Sequence, residues 1–447
     1  MANNIGVKVP QLIMPKSGTD MTKWAVVACD QYTSQPEYWA KCEEIVGDAP
    51  STLRLILPEL YLDKEDEAER IEKINIEMEK YLNEGIVKNI GEGFMLVKRT
   101  VDGKTRTGLI MALDLECYDY SKGSSSLIRA TEGTIVERIP PRLRIRQDAA
   151  LELPHILVLI DDPERTVIEP LEAQYASKAP TYDFDLMQGG GHIKGIHINE
   201  KAAVDGVISA LENLASQEAF EKKYGDKPLL LFAMGDGNHS FATAKANWEK
   251  VKATLTTDEE KASHNARYAL VELENVHDDG IIFEPIHRIL FNVDVSNTLA
   301  QLCGLLAAKN GGCKIYECAC KEELDKTMSQ IKTDSMHILP FSHEGGYGCF
   351  AVSEPSAQLA VGTLQNALDV LLKGEEYSSS TIDYVHGADV VYEISSRKSN
   401  LGFILPPMEK SELFPTVVYD GALPRKTFSM GEAHEKRYYL ECKSIKN

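Results

Sequence analysis

Short apolar runs alternate with polar stretches along the chain, and the most informative run lies near its middle. Residues 229–234 (LLLFAM) are wholly apolar, residues 235–240 (GDGNHS) are polar or glycine, and residues 241–248 hold mostly good helix formers without glycine or proline. This pattern predicts a buried strand, a tight glycine turn and the beginning of a helix. Asn238 or Ser240 is the predicted N-cap, because short polar side chains accept hydrogen bonds from the first amides of a helix.

Periodicity elsewhere predicts an α+β protein with mixed sheets and flanking helices. Apolar stripes at helical spacing predict helices near residues 37–46, 62–83, 200–223, 297–308, 321–331 and 363–374. Short apolar runs predict strands near residues 24–28, 93–99, 107–115, 155–161, 193–198, 268–274, 314–317, 337–341, 348–352, 389–394, 402–405 and 416–419. The Asp102-Gly103 turn joins two of these strands in a predicted hairpin.

The division into domains follows from the length and the pattern together. A chain of 447 residues is long enough for two or three domains. We expect an N-terminal α+β domain over residues 1–293, which contains the GDGNHS turn, and a C-terminal α+β domain over residues 294–447.

The composition is that of a soluble globular protein, with 43% hydrophobic and 26% charged residues. A formal net charge of −20 opposes binding to the phosphate backbone, so we expect no nucleic-acid partner. No apolar run reaches the roughly 18 residues that a membrane span needs. Residues 1–17 lack the pattern of a signal peptide. Nine scattered cysteines predict reduced thiols, and therefore a cytoplasmic protein.

The only cluster of cysteines in the sequence is formed by Cys313, Cys318 and Cys320. Their spacing is not that of a CxxC pair, and no histidine lies close by in the sequence. Ordinary buried or partly exposed thiols therefore fit the cluster better than a zinc site, although the role of the three cysteines stays open.

The GDGNHS turn concentrates more reactive side-chain types than any other stretch. Asp236, Asn238, His239 and Ser240 bring a carboxylate, an amide, an imidazole and a hydroxyl to one point. The positive end of the helix dipole and the first amides of the following helix suit an anion. The alternative is a structural turn in which Asn238 or Asp236 only caps the helix.

A second candidate stretch comes early in the chain. Asp30 and Gln31 directly follow the predicted strand over residues 24–28. Polar side chains in such positions often line a cleft, which makes both residues candidates for a binding site. The alternative is that Asp30 or Ser34 only caps the next helix.

Residues 127–147 form the best basic patch of an otherwise acidic chain. Its five arginines are Arg129, Arg138, Arg142, Arg144 and Arg146. Guanidinium groups bind phosphate and carboxylate in a bidentate manner, so the patch is a candidate anion site. The alternative is a solvated helix with internal ion pairs. Pro140 and Pro141 weaken that alternative slightly, because they interrupt any long helix.

Several stretches together resemble the domain-of-unknown-function family 1015, a group of cytoplasmic bacterial and archaeal proteins. The resemblance spans nearly the whole chain, and it rests on the order and spacing of its pieces. These are residues 128–134 (IRATEGT), similar to the family's glutamate-centred segment; 234–245 (MGDGNHSFATAK), similar to its Asp-Gly-X-His turn; 280–290, similar to its Pro-X-His-Arg stretch; and 382–387 (IDYVHG) and 423–428 (LPRKTF), similar to its C-terminal landmarks.

The turn also resembles the glycine-rich turn with which ParB-like nucleotide-binding domains and sulfiredoxin hold nucleotide phosphates. Archaeal free L-serine kinases share that fold and carry a turn of the Asp-Gly-His-His-Arg type, which Asp236, Gly237 and His239 match. The resemblance implies a ParB/sulfiredoxin-like nucleotide-binding core. Ser240 stands where an arginine is usual, so an arginine after Glu132 is expected to supply the charge. The candidates are Arg138, Arg142 and Arg146.

The resemblance implies a small-molecule kinase that uses ATP or ADP with Mg²⁺ and phosphorylates free L-serine or a similar hydroxyl compound. Phosphoryl transfer needs positioning and charge neutralisation more than covalent chemistry. In this hypothesis Asp236 holds Mg²⁺ or accepts the hydroxyl proton, Glu132 is the rival base, and His239 contacts phosphate or the leaving group. The nucleotide-binding residues are Gly235, Gly237, Asn238, Ser240, Arg142 and Lys426, of which the last two neutralise charge.

Two other function classes stay open. One is a nucleotide-binding regulatory protein without turnover. The other is a hydrolase or metal-dependent enzyme with Asp236 and His239 as ligands, although this spacing is too short a signal to specify a metal. No phosphate-binding loop of the P-loop type and no protein-kinase motif set is present, so a kinase requires a less common scaffold. The sequence leaves the oligomeric state open.

Overall fold

The computed structural model of the protein describes residues 5–121, 123–331 and 335–447. Residues 1–4, part of the stretch without a signal-peptide pattern, lie outside the described residues. Contacts divide the chain into two compact units, one formed by the described part of Met1–Ile282 together with Met430–Asn447, the other by Phe283–Ser429. The division therefore precedes the strand Phe283–Phe291, whereas the boundary expected from the sequence follows it.

Helices and strands alternate along both units. The helices are α1 (Met21–Trp24), α2 (Pro36–Val46), α3 (Glu67–Asn83), α4 (Ile139–Arg146), α5 (Glu169–Tyr175), α6 (Lys201–Leu214), α7 (Gln217–Tyr224), α8 (Asn238–Lys252), α9 (Asp258–Ser263), α10 (Val295–Lys309), α11 (Lys321–Gln330), α12 (Ala360–Leu371), α13 (Ala388–Ser395) and α14 (Leu413–Asp420). The strands are β1 (Val7–Lys8), β2 (Gln11–Pro15), β3 (Val26–Val27), β4 (Val87–Glu92), β5 (Phe94–Val101), β6 (Lys104–Asp114), β7 (Tyr118–Asp119), β8 (Ile128–Arg129), β9 (Leu151–Glu152), β10 (Leu157–Ile160), β11 (Tyr182–Asp185), β12 (His192–Ile198), β13 (Phe232–Asp236), β14 (Tyr268–Asn275), β15 (Phe283–Phe291), β16 (Gly312–Cys318), β17 (Met336–His343), β18 (Gly346–Ser353), β19 (Thr381–His386), β20 (Asn400–Phe403), β21 (Phe428–Met430), β22 (Tyr438–Tyr439) and β23 (Lys443–Ser444). Within the described residues, none of these helices is long and apolar enough to cross a membrane.

A mixed sheet forms the framework of the first unit. Its strands lie in the order β11-β12-β5-β6-β14-β10-β13-β8-β7, and β1 pairs with β6. Strand β10 is parallel to β14 and antiparallel to β13, while β13 is parallel to β8. The predicted hairpin of β5 and β6 is confirmed, with Asp102 and Gly103 at φ values of 49° and 74°. Positive φ at both central residues is the geometry that such a short hairpin turn requires.

Burial of the predicted apolar run fixes β13 inside this sheet. Phe232, Ala233 and Met234 are all inaccessible to solvent. Helix α8, which follows, buries Phe241 and Trp248 on one face, and the Phe241 ring packs against Tyr118 of β7 with centroids 4.5 Å apart. The strand and the helix are therefore held by apolar packing on both sides of the glycine turn that joins them.

The second unit is also α+β, so the expected α+β class is confirmed, while the sheet that mixes parallel and antiparallel strands is that of the first unit. Its strands lie in the order β16-β18-β17-β20-β15-β19, with neighbouring strands antiparallel. The predictions of strands at 389–394 and 416–419 are wrong, because these residues lie in α13 and α14. Val391 and Ser395, one helical turn apart, are both buried in α13, and this packing overrides the local strand preference of valine.

The single helix predicted over residues 200–223 is instead two helices, α6 and α7. Ser216 lies between them with extended backbone, and its hydroxyl oxygen accepts a hydrogen bond from the amide of Ala219 at 3.4 Å. The serine therefore caps a new helix, which the continuous apolar pattern alone did not indicate.

The last residues of the chain are an integral part of the first unit. Strand β22 pairs with β3, and β23 pairs with β9. The Arg437 side chain is only 2% exposed and forms ion pairs with Glu272 of β14, at 2.8 Å, and with Glu441. Tyr182 of β11 donates a hydrogen bond to Glu441 at 2.5 Å. Buried charges as well as strand pairing therefore fasten this segment to the sheet.

A buried carboxyl group in β14, that of Glu274, predicts a pH dependence of stability. Glu274 is buried beside Arg106, with 2.9 Å between Oε1 of the carboxyl group and Nε of the guanidinium. Burial raises the pKa of Glu274 from 4.5 to about 8; the attraction of Arg106 opposes this shift, and the repulsion of Glu272 adds to it. Between about pH 4.5 and about pH 8, Glu274 therefore binds a proton in the folded state and not in the unfolded state. Its contribution to the free energy of unfolding consequently falls as the pH rises through this range.

We therefore expect Glu274→Gln to reduce the loss of stability between about pH 5 and about pH 8, since glutamine cannot release a proton. Urea unfolding of the wild type and the variant at both pH values measures the free energy of unfolding. An equal loss of stability in the two proteins over this range would show that Glu274 is already ionised at low pH.

Candidate functional site

The turn between β13 and α8 is shorter than the sequence predicted, with a single residue between the strand and the helix. Asp236 is the last residue of β13, Gly237 is the N-cap with φ 80°, and α8 begins at Asn238. The prediction of Asn238 or Ser240 as the N-cap is therefore wrong. Asp236 lies in register with Leu157 of β10, so strand pairing continues beyond the apolar run, and the single left-handed residue Gly237 separates the strand from α8.

Glycine is required at the centre of this turn. Its left-handed φ is a conformation that side chains rarely adopt. A Cβ atom at Gly237 would also lie 3.1 Å from the Cα of Ile156. Gly235 is similarly enclosed, since its Cβ would lie 2.8 Å from the sulfur of Met430. Both glycines are therefore needed because neighbouring atoms of the first unit pack directly against the backbone of the turn.

Gly237→Ala is expected to lower the free energy of unfolding by roughly 1–2 kcal/mol, because alanine pays the steric penalty of the left-handed region. Gly206→Ala is the matched control. Gly206 lies inside α6, and nothing is within 4 Å of its would-be Cβ, so this substitution should stabilise the protein by about 0.5–1 kcal/mol. Urea unfolding measures both changes. A neutral effect of Gly237→Ala would mean that the turn relaxes without cost.

The loop that carries Glu132 is fastened to the turn. The amide of Thr131 donates to the side-chain oxygen of Asn238 at 3.3 Å, and the Thr131 hydroxyl donates to the carbonyl of Met234 at 2.7 Å. Three residues beyond Glu132, the amide of Ile135 donates to Nε2 of His239 at 3.3 Å. Asn238 and His239 therefore hold the Glu132 loop against the start of α8. The sequence-predicted residues Glu132, Asp236 and His239 are thus brought to one region, while their catalytic roles stay predictions.

Asp236 is paired with a lysine that sequence reasoning missed. Its Oδ2 lies 3.0 Å from the ammonium of Lys436, and its Oδ1 accepts a hydrogen bond from the amide of Gly237 at 2.8 Å. Removal from water raises the pKa of Asp236. The ammonium of Lys436 and the amide of Gly237 outweigh this effect, so the pKa lies below its ordinary value. The carboxylate is consequently ionised throughout the neutral range.

His155 is a second residue at the site that the sequence did not identify. Its Nε2 lies 2.9 Å from the hydroxyl of Ser240, and its Nδ1 lies 2.8 Å from the hydroxyl of Tyr439. His155 precedes β10, whose Leu157 pairs with Asp236, so the start of β10 and the end of β13 share one edge of the sheet. A polar residue at the start of the strand predicted over residues 155–161 was the available signal for His155. Ser240, predicted to bind nucleotide, contacts this histidine.

The arginines of the basic patch are largely occupied by other groups. Arg142 pairs with Glu59, and Arg146 pairs with Glu152. Arg144 pairs with Glu67 at 2.7 Å and with Asp63 at 3.1 Å, and Arg129 donates to the carbonyls of Ser126, Pro228 and Leu229. Pro140 and Pro141 lie in the first turn of α4, where proline is tolerated, and α4 packs against α8. The nucleotide-binding role of Arg142 stays a prediction, and in this structure its charge is already neutralised by a carboxylate.

Lys426, the other cation predicted to neutralise phosphate charge, belongs to the second unit. It is exposed and has a left-handed backbone with φ 56°. The four residues of the turn that were predicted to bind nucleotide, Gly235, Gly237, Asn238 and Ser240, all lie in the first unit. Binding of a nucleotide by Lys426 stays a prediction.

A polar cavity lies within the first unit, between an early loop and the C-terminal segment. Its volume is about 500 Å³, and its lining consists of Asp30, Gln31, Tyr32, Thr33, Ser34, Gln35, Glu432, Ala433 and His434. The expectation that Asp30 and Gln31 line a cleft is confirmed. Cys29, which precedes them, donates its amide hydrogen to the hydroxyl of Tyr439 at 3.2 Å. The cavity and the Asp236 turn are thus connected through the segment that holds Lys436 and Tyr439.

No preformed metal site is evident among the residues that the structure describes. Within them, no group of three or more histidine, cysteine, aspartate or glutamate side chains is arranged to hold a metal ion. Of the three clustered cysteines, Cys318 is buried in a small core with Leu324 and Cys349, and Cys320 is exposed. Asp236 remains the predicted magnesium ligand, as a single carboxylate.

Comparison with known proteins places the chain in a family. It belongs to the family described as proteins of unknown function, DUF1015, whose model matches residues 13–371. The resemblance to this family is thereby confirmed, while its similarity at residues 382–387 and 423–428 stays a prediction because both stretches lie beyond the matched residues. Lys426 and Lys436 also lie beyond them. No curated protein matches the sequence.

Several solved structures are similar to this chain at low sequence identity. A conserved hypothetical protein from Pyrococcus furiosus is 11% identical, with a TM-score of 0.33, and the match covers 75% of this chain and 95% of that one. A free serine kinase in complex with AMP is 10% identical, with a TM-score of 0.36, and the match covers 75% of this chain and 91% of that one. SbnI from Staphylococcus aureus, with a C-terminal truncation, is 8% identical, with a TM-score of 0.32 and coverage of 74% and 82%.

Proposed function

We propose that the protein is a small-molecule kinase that transfers a phosphoryl group from ATP or ADP to free L-serine or a similar hydroxyl compound. The observation that carries this proposal is the meeting of an ionised carboxylate, a glycine turn and a helix start at one edge of a sheet. The Asp-Gly-X-His pattern of the turn resembles that of the free serine kinases. A ParB/sulfiredoxin-like core and a cytoplasmic location are part of the same proposal.

The start of α8 is the proposed binding site for the nucleotide phosphates. Among the described residues no side chain forms a capping hydrogen bond with this helix, and its N-cap residue is Gly237. The positive end of the helix dipole and the amides of its first turn attract an anion. Asn238 and Ser240 stand in the first turn and provide side-chain contacts that connect a bound phosphate with the Glu132 loop and with His155.

Transfer requires that the acceptor hydroxyl oxygen attack the terminal phosphorus as the bond from phosphorus to the leaving nucleotide oxygen breaks. The hydroxyl proton passes to a carboxylate, for which Asp236 and Glu132 are the two candidates. Because its pKa is low, Asp236 is ionised, and it is suited to orienting the acceptor hydroxyl and to binding a cation such as magnesium or the Lys436 ammonium. Glu132, in a loop fastened on both sides, is the alternative proton acceptor. His239 contacts phosphate or the leaving group in this proposal.

Magnesium fits this site only in company with the nucleotide. A magnesium ion commonly takes one or two carboxylates and completes its shell with phosphate oxygens and water. Asp236 is the carboxylate that would hold it, and both of its oxygens already accept a hydrogen bond or an ion pair. When bound, the ion supplies neutralisation of charge on the phosphates.

The proposal is tested by incubating the purified full chain with ATP or ADP, Mg²⁺ and a panel of free amino acids. Consumption of nucleotide that depends on serine or a related hydroxyl compound, and that Asp236→Ala abolishes, is the expected result. Equal consumption with and without every acceptor would contradict it. Mass spectrometry of the phosphorylated product identifies the acceptor.

The ion pair at Asp236 favours a second candidate, a nucleotide-binding regulatory protein without turnover. A carboxylate that is already paired with Lys436 at 3.0 Å needs rearrangement before it can hold a metal or a proton. Binding itself has no such requirement. Binding of nucleotide without consumption, for every amino acid in the panel, would establish this second function and exclude the kinase.

A further inference from the structure

Lys436 supplies the cation that the turn lacks in the sequence. The expected source of that charge was Arg138, Arg142 or Arg146, and two of these pair with carboxylates elsewhere. Lys436 instead lies 3.0 Å from Asp236, with its side chain 12% exposed and that of Asp236 29% exposed. The ammonium therefore contacts the last residue of β13, two positions before α8 begins, and a small part of the lysine side chain reaches solvent.

The backbone that carries Lys436 is held on several sides. Its neighbour Arg437 is anchored by Glu272 and Glu441, and the carbonyl of Arg437 accepts the amide of Ala28 at 2.9 Å. Tyr438 donates its hydroxyl to the carbonyl of Met187 at 3.1 Å. Because these neighbours are buried and bonded, the origin of the lysine side chain is fixed, and little ordering is needed when a ligand binds.

A lysine at this position is unexpected for stability alone. The start of a helix carries partial positive charge, so a second cation beside it is unfavourable unless an anion shares the site. Asp236 is one such anion. The side chains of this pair are largely removed from water, and the cost of desolvating two charges offsets much of their attraction, so the pair with Asp236 is a weak structural reason for the lysine.

We propose that Lys436 binds the phosphate oxygens of the nucleotide at the start of α8, while Asp236 orients its ammonium. This inference rests on the proposed nucleotide-binding function and assigns to that site a residue outside the matched family region. An ammonium group has three N–H donors, so it can bind a carboxylate and a phosphate together. Lys436 thereby takes the place of the arginine that Ser240 replaces in the turn.

The test compares Lys436→Gln with Lys98→Gln by calorimetric titration with ADP and with adenosine, in EDTA so that no metal contributes. Lys98 is the control for loss of a paired lysine charge away from the turn, since it pairs with the Glu172 carboxylate at the same distance of 3.0 Å, in the same unit but on β5 and with a more exposed side chain. Loss of a charged hydrogen bond to phosphate is expected to weaken ADP binding about 10- to 100-fold. Adenosine has no phosphate, so its affinity should be the same in both variants and the wild type.

The outcomes separate this inference from the proposed function. If the wild type binds no ADP, with or without Mg²⁺, the nucleotide-binding function itself is wrong. If the wild type binds ADP and the two glutamine variants bind it equally, only the role of Lys436 is wrong. Lys436→Arg keeps the charge and should bind ADP within a few-fold of the wild type. An equal loss in the arginine and glutamine variants would overturn the role of the charge.

Discussion

Replacing Asp236 by asparagine is expected to lower the rate of phosphoryl transfer about 10²- to 10⁴-fold, the range typical of losing a positioned carboxylate. Asparagine has the same size and keeps an oxygen for the amide of Gly237, which donates to Asp236 at 2.8 Å. What the variant loses is the negative charge that holds Lys436 and that would hold magnesium or the acceptor hydroxyl. The turn should therefore keep its shape while the chemistry fails.

Asp161→Asn is the matched control for this substitution. Asp161 follows the other end of β10, pairs with Lys223 at 2.5 Å and with His277 at 2.8 Å, and also has a lowered pKa. It therefore loses the same charge in a similar environment away from the turn. Initial rates of product formation at saturating nucleotide and acceptor measure both variants. Similar rates for Asp161→Asn and Asp236→Asn would remove Asp236 from the reaction.

Arg437→Met is expected to lower the free energy of unfolding by about 3–5 kcal/mol, because it removes the cation that neutralises two buried carboxylates. The side chains of Arg437, Glu272 and Glu441 are each exposed by no more than 2%. Methionine fills a similar volume but leaves two negative charges close together in the core. The same change should loosen the C-terminal segment that places Lys436 beside Asp236.

Lys73→Met provides the comparison at the surface. Lys73 pairs with Glu69 at 2.6 Å on α3, and both side chains are more than half exposed. Exposed pairs of this kind contribute about 0.3–0.5 kcal/mol. Urea unfolding followed by circular dichroism measures both variants. A small loss for Arg437→Met, comparable to that of Lys73→Met, would mean that the buried carboxylates take up protons or water when the arginine is removed.

The parts of the fold that the sequence predicted best are those with local causes. The apolar run before the turn, the hairpin at Asp102-Gly103 and the strand and helix around Gly237 all follow from short-range patterns. The N-cap was misplaced because the extent of β13 depends on its register with β10, which is a tertiary property. Helix α13 was missed because its buried face outweighs the strand preference of its valines.

The prediction of individual site residues was limited in the same way, because tertiary contacts decide which side chains meet. Asp236, His239 and the loop of Glu132 could be proposed from motifs, and hydrogen bonds from the turn to that loop bring them together. Lys436 could not, because it is separated from Asp236 by 200 positions and reaches it only through the packing of the C-terminal segment. Arg142 was the more obvious cation in the sequence, but its partner Glu59 lies elsewhere in the chain and carries no local signal.

The central claim is that the start of α8 binds nucleotide phosphate beside Asp236 and Lys436. Diffraction from crystals grown with a thiophosphate analogue of ADP tests it most directly, because the anomalous signal of sulfur marks the terminal phosphate. The account predicts a sulfur peak within contact distance of the first amides of α8 and of the Lys436 ammonium. A nucleotide bound elsewhere in the molecule, with no phosphate at this turn, would contradict it.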